Sequence, residues 1–258
     1  MRMSIVHMIF DRESKDLYSS EDDDYDKIDC TNIDGVNGYC DERAGKILCK
    51  KITRFPLKGV HFLGSNNYHY ISKFWIDRIR VPFSLVLFDH HSDMQPGMID
   101  GLLSCGNWVK FILDKNSYLQ KVFLIGTSNA SVSTIKEKYS GRWFLFSEKD
   151  VGNKNRWKKF FKKNISGPLY ISIDKDVLSA QYAVTGWDQG KMNLAEMKEY
   201  LTDLYSDGNV IGADVCGDVM KHENVSELMR VRKIDHKTNS FLIKIISLIN
   251  PTTSLCLL

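Results

Sequence analysis

The sequence predicts an α/β chain, a three-layer α/β/α sandwich around a mostly parallel sheet. Three observations carry this expectation. From residue 59 onward, short β-branched or aromatic runs alternate with longer amphipathic segments, as in strand–crossover–strand units. Runs such as LVLF and VFLIG are apolar throughout, as strands buried on both faces are. A length of 258 residues at 43% hydrophobic and 26% charged is enough to bury a large core, and excludes disorder, collagen and coiled coil.

In order along the chain, the first strand is expected over Ser4–Phe10, where apolar residues follow one another almost without a break. Residues 12–58 are less periodic; Gly35, Gly38 and the Asp and Asn of DGVNGYCDE predict turns, with room for one helix. Strands then fall over Gly59–Leu63, Ser84–Asp89, Lys121–Gly126, Trp143–Phe146, Leu169–Asp174 and Val210–Asp214. The amphipathic segments between them predict helices over Tyr68–Ile79, Asn107–Leu113, Val132–Tyr139, Arg156–Lys163, Leu194–Tyr205 and Phe241–Ile249. Asn193 is the expected cap of the fifth helix and Gly208 its exit. No repeat or linker divides the chain, so residues 1–258 read as a single domain, with 12–58 as its irregular part or an appended lobe.

A formal charge of +3 is too small to imply a nucleic-acid partner unless cations cluster. They cluster only in NKNRWKKFFKK, where Trp157, Phe160 and Phe161 share one helical stripe, so a core-facing helix with solvated cations is expected. The acidic run from Glu21 to Asp26 reads as a solvated loop. Apolar runs of five or six residues are far short of the roughly 20 needed to cross a bilayer, and the start carries no secretory signal, so a cytoplasmic chain without a membrane partner is expected. The six cysteines show no paired spacing and read as free thiols.

In open parallel sheets, ligands bind beyond the carboxyl ends of the strands. There SLVLFDHHSD delivers Asp89, His91 and Asp93, which alternation in an extended chain would place on one side, with His90 elsewhere. LYISIDKD delivers Asp174 and Asp176 with the same spacing, and FLGSNNYHY places His69 in or just after a turn. Each element alone is better explained as a turn, a cap or a structural histidine. Together, four carboxylates would repel one another unless a cation joined them, and with two imidazoles and no thiolate they suit two Mn²⁺ better than a closed structural Zn²⁺.

These motifs resemble those of the arginase-like ureohydrolases, the family of arginase, agmatinase and formimidoylglutamase. FDHHSD is similar to the family's Asp-Ala-His-x-Asp element, SIDKD to its Ser-x-Asp-x-Asp element, and GSNNYHY to its Gly-Gly-Asp-His turn with the histidine two residues late. The resemblance implies an arginase-like fold, two Mn²⁺ per chain held by His69, Asp89, His91, Asp93, Asp174 and Asp176, and a small-molecule substrate, and it leaves a homo-oligomer open. It implies hydrolysis of a C–N bond in a linear amidine or guanidino compound by a hydroxide bridging the metals, with Asp176 and Asp218 as catalytic residues. SCGNW is similar to a substrate-holding loop, which makes Ser104 and Asn107 candidate substrate contacts, and IGADVCGD adds Asp214 and Asp218 as candidates for gripping a cationic nitrogen.

The sequence departs from the family at three places. Trp108 and Val109 stand where a proton-shuttling histidine is expected, and the indole of Trp108 would alter the pocket wall. The acidic residue after the late strand falls one step on, at Asp218, with Gly217 in its place, and Ser179 and Ala180 replace an Asp-Pro. A metal-binding protein of the same fold without turnover is therefore the alternative. A one-metal deacetylase with His90 and His91 as acid and base fits less well, because adjacent residues at a strand end face apart.

Overall fold

The computed structural model describes residues 3–11, 25–97, 99, 101–133, 135–207, 209–219 and 224–249. Its strands are β1 (Ile5–Ile9), β2 (Asp26–Asp29), β3 (Tyr39–Cys40), β4 (Val60–Phe62), β5 (Phe83–Phe88), β6 (Leu103–Ser104), β7 (Leu119–Ile125), β8 (Trp143–Phe146), β9 (Pro168–Asp174) and β10 (Asn209–Cys216). Eight of them form one sheet in the order β2-β1-β4-β10-β9-β5-β7-β8, and every pairing in it is parallel. β3 and β6 pair antiparallel as a separate ribbon.

Helices cover both faces, so the expected α/β sandwich is what the chain forms. Leu85 and Leu87 of β5 pack into one apolar cluster and Val86 and Phe88 into the other, all fully buried. This is why the strands read as continuous apolar runs: alternate residues enter different layers, each burial being worth roughly 1.5–3 kcal/mol. The first layer holds α1 (Glu42–Ile52), α2 (Ser72–Ile76) and α3 (Trp108–Lys115). After α4 (Asn129–Val132), the second layer holds α5 (Lys154–Asn164), α6 (Leu194–Asp207) and α7 (Val225–Ile249).

Several boundaries differ from expectation for local reasons. The segment expected as one helix from Val132 to Tyr139 is split into α4, capped by Ser128, and a 3₁₀ turn at Glu137–Tyr139. The helix expected from Tyr68 begins as a 3₁₀ turn at Asn66–Ile71 and becomes α2 only at Ser72. α7 begins sixteen residues before the expected Phe241, because its buried face carries Asp235, Thr238 and Asn239 among Val231, Leu242, Ile245 and Ile246, which hides the apolar period. α5 turns Trp157 and Phe161 inward, and Lys154 and Lys158 pair with Glu199 and Asp203 of α6, as expected of a core-facing basic helix. Asn193 caps α6 through the Ala195 and Glu196 amides; Gly208 lies outside the described residues, as does most of the acidic run, 21–24. Cys30, Cys40, Cys49, Cys105 and Cys216 are free thiols, and Cys256 lies outside the described residues. No described helix is long and apolar enough to cross a membrane.

Candidate metal centre

β5 and β9 are neighbours, with Phe88 opposite Ile173, so the residues that follow both strands leave the same edge of the sheet. Asp89, Asp93, Asp174 and Asp176 are all buried there, with His69 beneath them. His69 arrives because β4 ends at Phe62 and Gly64, at φ 83, turns the chain into the 3₁₀ turn. The amides of Gly217 and Asp218 both donate to the Gly64 carbonyl and fix that turn against the end of β10. The two extra residues before the histidine are taken up by the turn, so the ring still reaches the cluster.

Convergence does not come from strand alternation. β5 ends at Phe88, and Asp93 adopts φ 50, a left-handed conformation that Asp tolerates better than most side chains. This turn, rather than a two-residue period, brings Asp89, His91 and Asp93 together. His90 leaves the cluster, with Nδ1 3.9 Å from Glu148 Oε2.

His69 Nδ1 lies 3.3 Å from Asp89 Oδ2, 3.0 Å from Asp93 Oδ2 and 3.4 Å from Asp174 Oδ2. His91 Nδ1 lies 2.9 Å from Asp176 Oδ2 and 3.5 Å from Asp89 Oδ1. His69, Asp89 and Asp93 form one group able to hold an ion, Asp89, His91 and Asp176 a second that shares Asp89 with it, and His69, Asp174 and Cys216 a third that shares His69 with the first. Three of the carboxylates use one oxygen for a backbone amide: Asp89 Oδ1 accepts from His91 N, Asp174 Oδ1 from Asp176 N, and Asp176 Oδ1 from His90 N. Their Oδ2 atoms face the imidazoles.

The donor set fits divalent cations. His69 Nδ1 and Asp89 Oδ2 are buried and make no hydrogen bond, although buried polar atoms are nearly always satisfied. Charge tells the same story. Burial and the Asp89 carboxylate push Asp93 up to about 6, and burial with Asp174 and Asp89 raises Asp176 well above the usual carboxylate range. Burial would lower His91, but hydrogen bonds to Asp176 and Asp89 hold it up to about 11. Without metal, a proton on His91 supplies part of the balancing positive charge.

His69 is oriented from behind. Its Nε2 is 2.9 Å from Ser172 Oγ, whose hydroxyl donates to Asp214 Oδ1 at 2.6 Å, while Tyr170 Oη donates to Asp214 Oδ2 at 2.8 Å. This relay sets the tautomer that leaves Nδ1 free for a ligand. Asp214, expected at the substrate, is thus inside the sheet and fully buried; strand alternation points it at β9. Asp218, the other expected substrate grip, is also taken up. The fully buried Lys175 ammonium donates to Asp218 and, at 2.9 Å, to Asp235 of α7, and Asn239 adds a bond to Asp218 at 3.0 Å. Gly217 stands where the acidic residue was expected; at φ 101, an added Cβ would lie 3.0 Å from the Lys175 backbone and 3.1 Å from Asp174 Oδ1. A side chain there would crowd both neighbours on a backbone conformation that L residues rarely adopt.

Ser104 and Asn107 cap their own loop: Asn107 Oδ1 accepts from Ser104 N at 2.8 Å and Asn107 Nδ2 donates to the Leu102 carbonyl. They line a cavity of about 370 Å³ beside the cluster rather than the cluster itself. Trp108 is not in the pocket wall at all: its indole is fully buried. A small cavity of about 80 Å³ lies directly over the cluster, walled by Asn66, Gln95, Cys105 and Trp187, and a larger one of about 450 Å³ shares Asn66 and Trp187 with it. Sequence reasoning missed Asn66, whose Nδ2 donates to Asp174 Oδ1 at 2.5 Å, Cys216, whose Sγ lies 3.1 Å from Asp174 Oδ2, and Trp187. For Asn66 and Cys216 the signal was present, since each lies just beyond or at the end of a predicted strand at the same sheet edge.

Fold and site together define an α/β sandwich that carries a carboxylate–imidazole cluster able to hold metal ions at the carboxyl ends of its central strands. The chain belongs to the arginase family, whose profile matches residues 12–217. It is 33% identical over 160 residues to an uncharacterised protein of Thermotoga maritima, covering 62% of this chain and 58% of that protein. The chain thus spans less than two thirds of the length of that relative. The formiminoglutamase of Trypanosoma cruzi, solved with Mn²⁺, matches with a TM-score of 0.66 at 13% identity over 96% of this chain and 93% of that one. The arginase of Bacillus subtilis matches at 0.64 and 15% identity over 98% and 100%. At these identities the likeness is one of fold.

Proposed function

We propose that this chain is a binuclear manganese hydrolase that cleaves a C–N bond of a linear amidine or guanidino compound. The observation that carries the reading is His69 Nδ1, buried, without a hydrogen bond, and within 3.4 Å of three carboxylate oxygens. His69, Asp89, Asp93 and Asp174 would hold one ion, and Asp89, His91, Asp174 and Asp176 the other. Bound ions supply a nucleophilic water at neutral pH and stabilise charge that develops on the substrate.

The residues around the ions do the rest. Asp176, with Oδ1 held by the His90 amide and Oδ2 2.9 Å from His91 Nδ1, lines the cavity and is the group we assign to take the proton of the attacking water. Among the described residues, no Lys or Arg lines the cavity over the cluster or the two beside it. A substrate carboxylate therefore meets no cationic partner among the described lining residues, which favours an amidine lacking one over arginine. A non-catalytic metal-binding protein is the second reading, favoured by the burial of Trp108 and the pairing of Asp218: neither can protonate a leaving amine, and losing a positioned acid typically costs 10²- to 10⁴-fold.

The test is metal content after purification without chelator, followed by a Mn²⁺-loaded assay on arginine, agmatine, 4-guanidinobutyrate and formimidoylglutamate. Two ions per chain with release of urea or formamide from any of them supports the hydrolase. Two ions and no turnover supports the second reading, and no bound metal refutes both.

A further inference from the structure

Trp108 sits where a proton shuttle was expected, yet its side chain is directed beneath the cluster. Its Nε1–H donates to Asp93 Oδ2 at 2.5 Å, the same oxygen that lies 3.0 Å from His69 Nδ1. The indole ring also lies against His69, with centroids 4.9 Å apart at 55°. The main chain closes the pair, because the amide of Val109 donates to the Asp93 carbonyl at 3.1 Å. Asp89, Asp174 and Asp176 each lean on a backbone amide, whereas the side chain of Asp93, in its left-handed turn, leans on an indole.

We propose that Trp108 is a positioning residue for the His69 side of the metal centre, holding Asp93 Oδ2 in the orientation that meets a cation together with His69 Nδ1. A carboxylate oxygen has two lone-pair directions. With the indole N–H on one, the other is turned toward His69. The same N–H offsets part of the charge that four buried carboxylates accumulate before a metal arrives. α3 thereby acts through its first residue on a ligand fifteen positions earlier, and the departure from the family at this position changes the support of the metal rather than the shape of the pocket. The inference rests on the reading of the cluster as a metal centre.

The experiment is a Mn²⁺ titration of the metal-free full chain, reading the free ion by its EPR signal, on the unsubstituted protein, on Trp108→Phe, and on a protein carrying 3-benzothienylalanine at 108. The isostere keeps the shape of the buried ring and removes only the donor, so it remains informative if the phenylalanine variant packs poorly; thermal unfolding of the metal-free proteins reports that. Loss of an outer partner of a metal ligand typically costs 10- to 100-fold in affinity. Both substituted proteins are expected to bind one Mn²⁺ as the parent does and the second 10- to 100-fold more weakly. An isostere protein that binds both ions like the parent, or loses both equally, overturns the inference while leaving the metal centre standing. A parent that binds no Mn²⁺ overturns the functional reading itself, and this role with it. A second readout needs no metal: the indole ¹⁵N–¹H resonance missing from the Trp108→Phe spectrum should shift in Asp93→Asn, and an unmoved resonance would count against the bond.

Discussion

Replacing Lys175 by Met should be among the most damaging single changes away from the carboxylate–imidazole cluster. The ammonium is fully buried, donates to both Asp218 and Asp235, and ties the turn after β9 to α7. Met keeps most of the volume but leaves two carboxylates with no cation. Removing one partner of a buried ion pair typically costs about 3–5 kcal/mol. Against a total stability of about 5–15 kcal/mol, that is from about a fifth to all of what holds the chain folded. Urea unfolding of metal-free protein at pH 7.5, compared with the parent by linear extrapolation, measures the loss. The triple variant Lys175→Met, Asp218→Asn, Asp235→Asn should recover most of it, because the cost lies in the stranded charges. The pH dependence has a definite sign. Burial pushes Asp235 up to about 6 even though Lys175 pulls it down, so without the lysine it takes a proton at higher pH still. The deficit should therefore shrink as pH falls toward 5. A single variant within 1 kcal/mol of the parent, or a triple variant no better than the single, would refute the argument.

Further outcomes follow from the geometry of the cluster. His69→Asn should cost one Mn²⁺ and leave the other, since His69 belongs with Asp93 and His91 with Asp176, while Asp89→Ala should cost both; metal analysis after dialysis separates the patterns. Asp174→Ala should lower Mn²⁺ affinity by about one to two orders of magnitude, as removal of an anionic ligand takes away a bond and a charge, and an unchanged stoichiometry and affinity would contradict its assignment. Mn²⁺ affinity should rise with pH between 6 and 9. His91 is held protonated up to about 11 in the metal-free protein, so this stabilisation is complete below its ordinary value of 6.5, fades as pH rises through 11, and must be given up when an ion binds; calorimetry in buffers of different ionisation enthalpy counts the released protons. Gly217→Glu, which restores the family's acidic residue, should destabilise rather than activate: φ 101 and the 3.0 Å approach to Lys175 cost at least about 1–2 kcal/mol, readable as a lowered midpoint in urea.

The sequence by itself determined the class of fold and the ingredients of the site. Apolar runs such as Leu85–Phe88 are local records of burial on both faces, and DHHSD, DKD and YHY after such runs mark one edge of a parallel sheet whatever the details of packing. Only the tertiary structure decided which of those residues meet and what each one touches. Asp214 and Asp218 were indistinguishable in the sequence as acids near a strand end; register on β9 turns the first toward Ser172 and Tyr170, and a buried lysine claims the second. Trp108 could be read only as a missing histidine until the packing of α3 aimed its N–H at Asp93. The long α7 stayed hidden for the same reason, since Asp235 and Asn239 belong on a buried face only because Lys175 and Asp218 wait there. Period and residue type are properties of neighbours along the chain. The partners of a buried charge are set across 40 to 110 residues of sequence by strand order and register, which no local pattern contains.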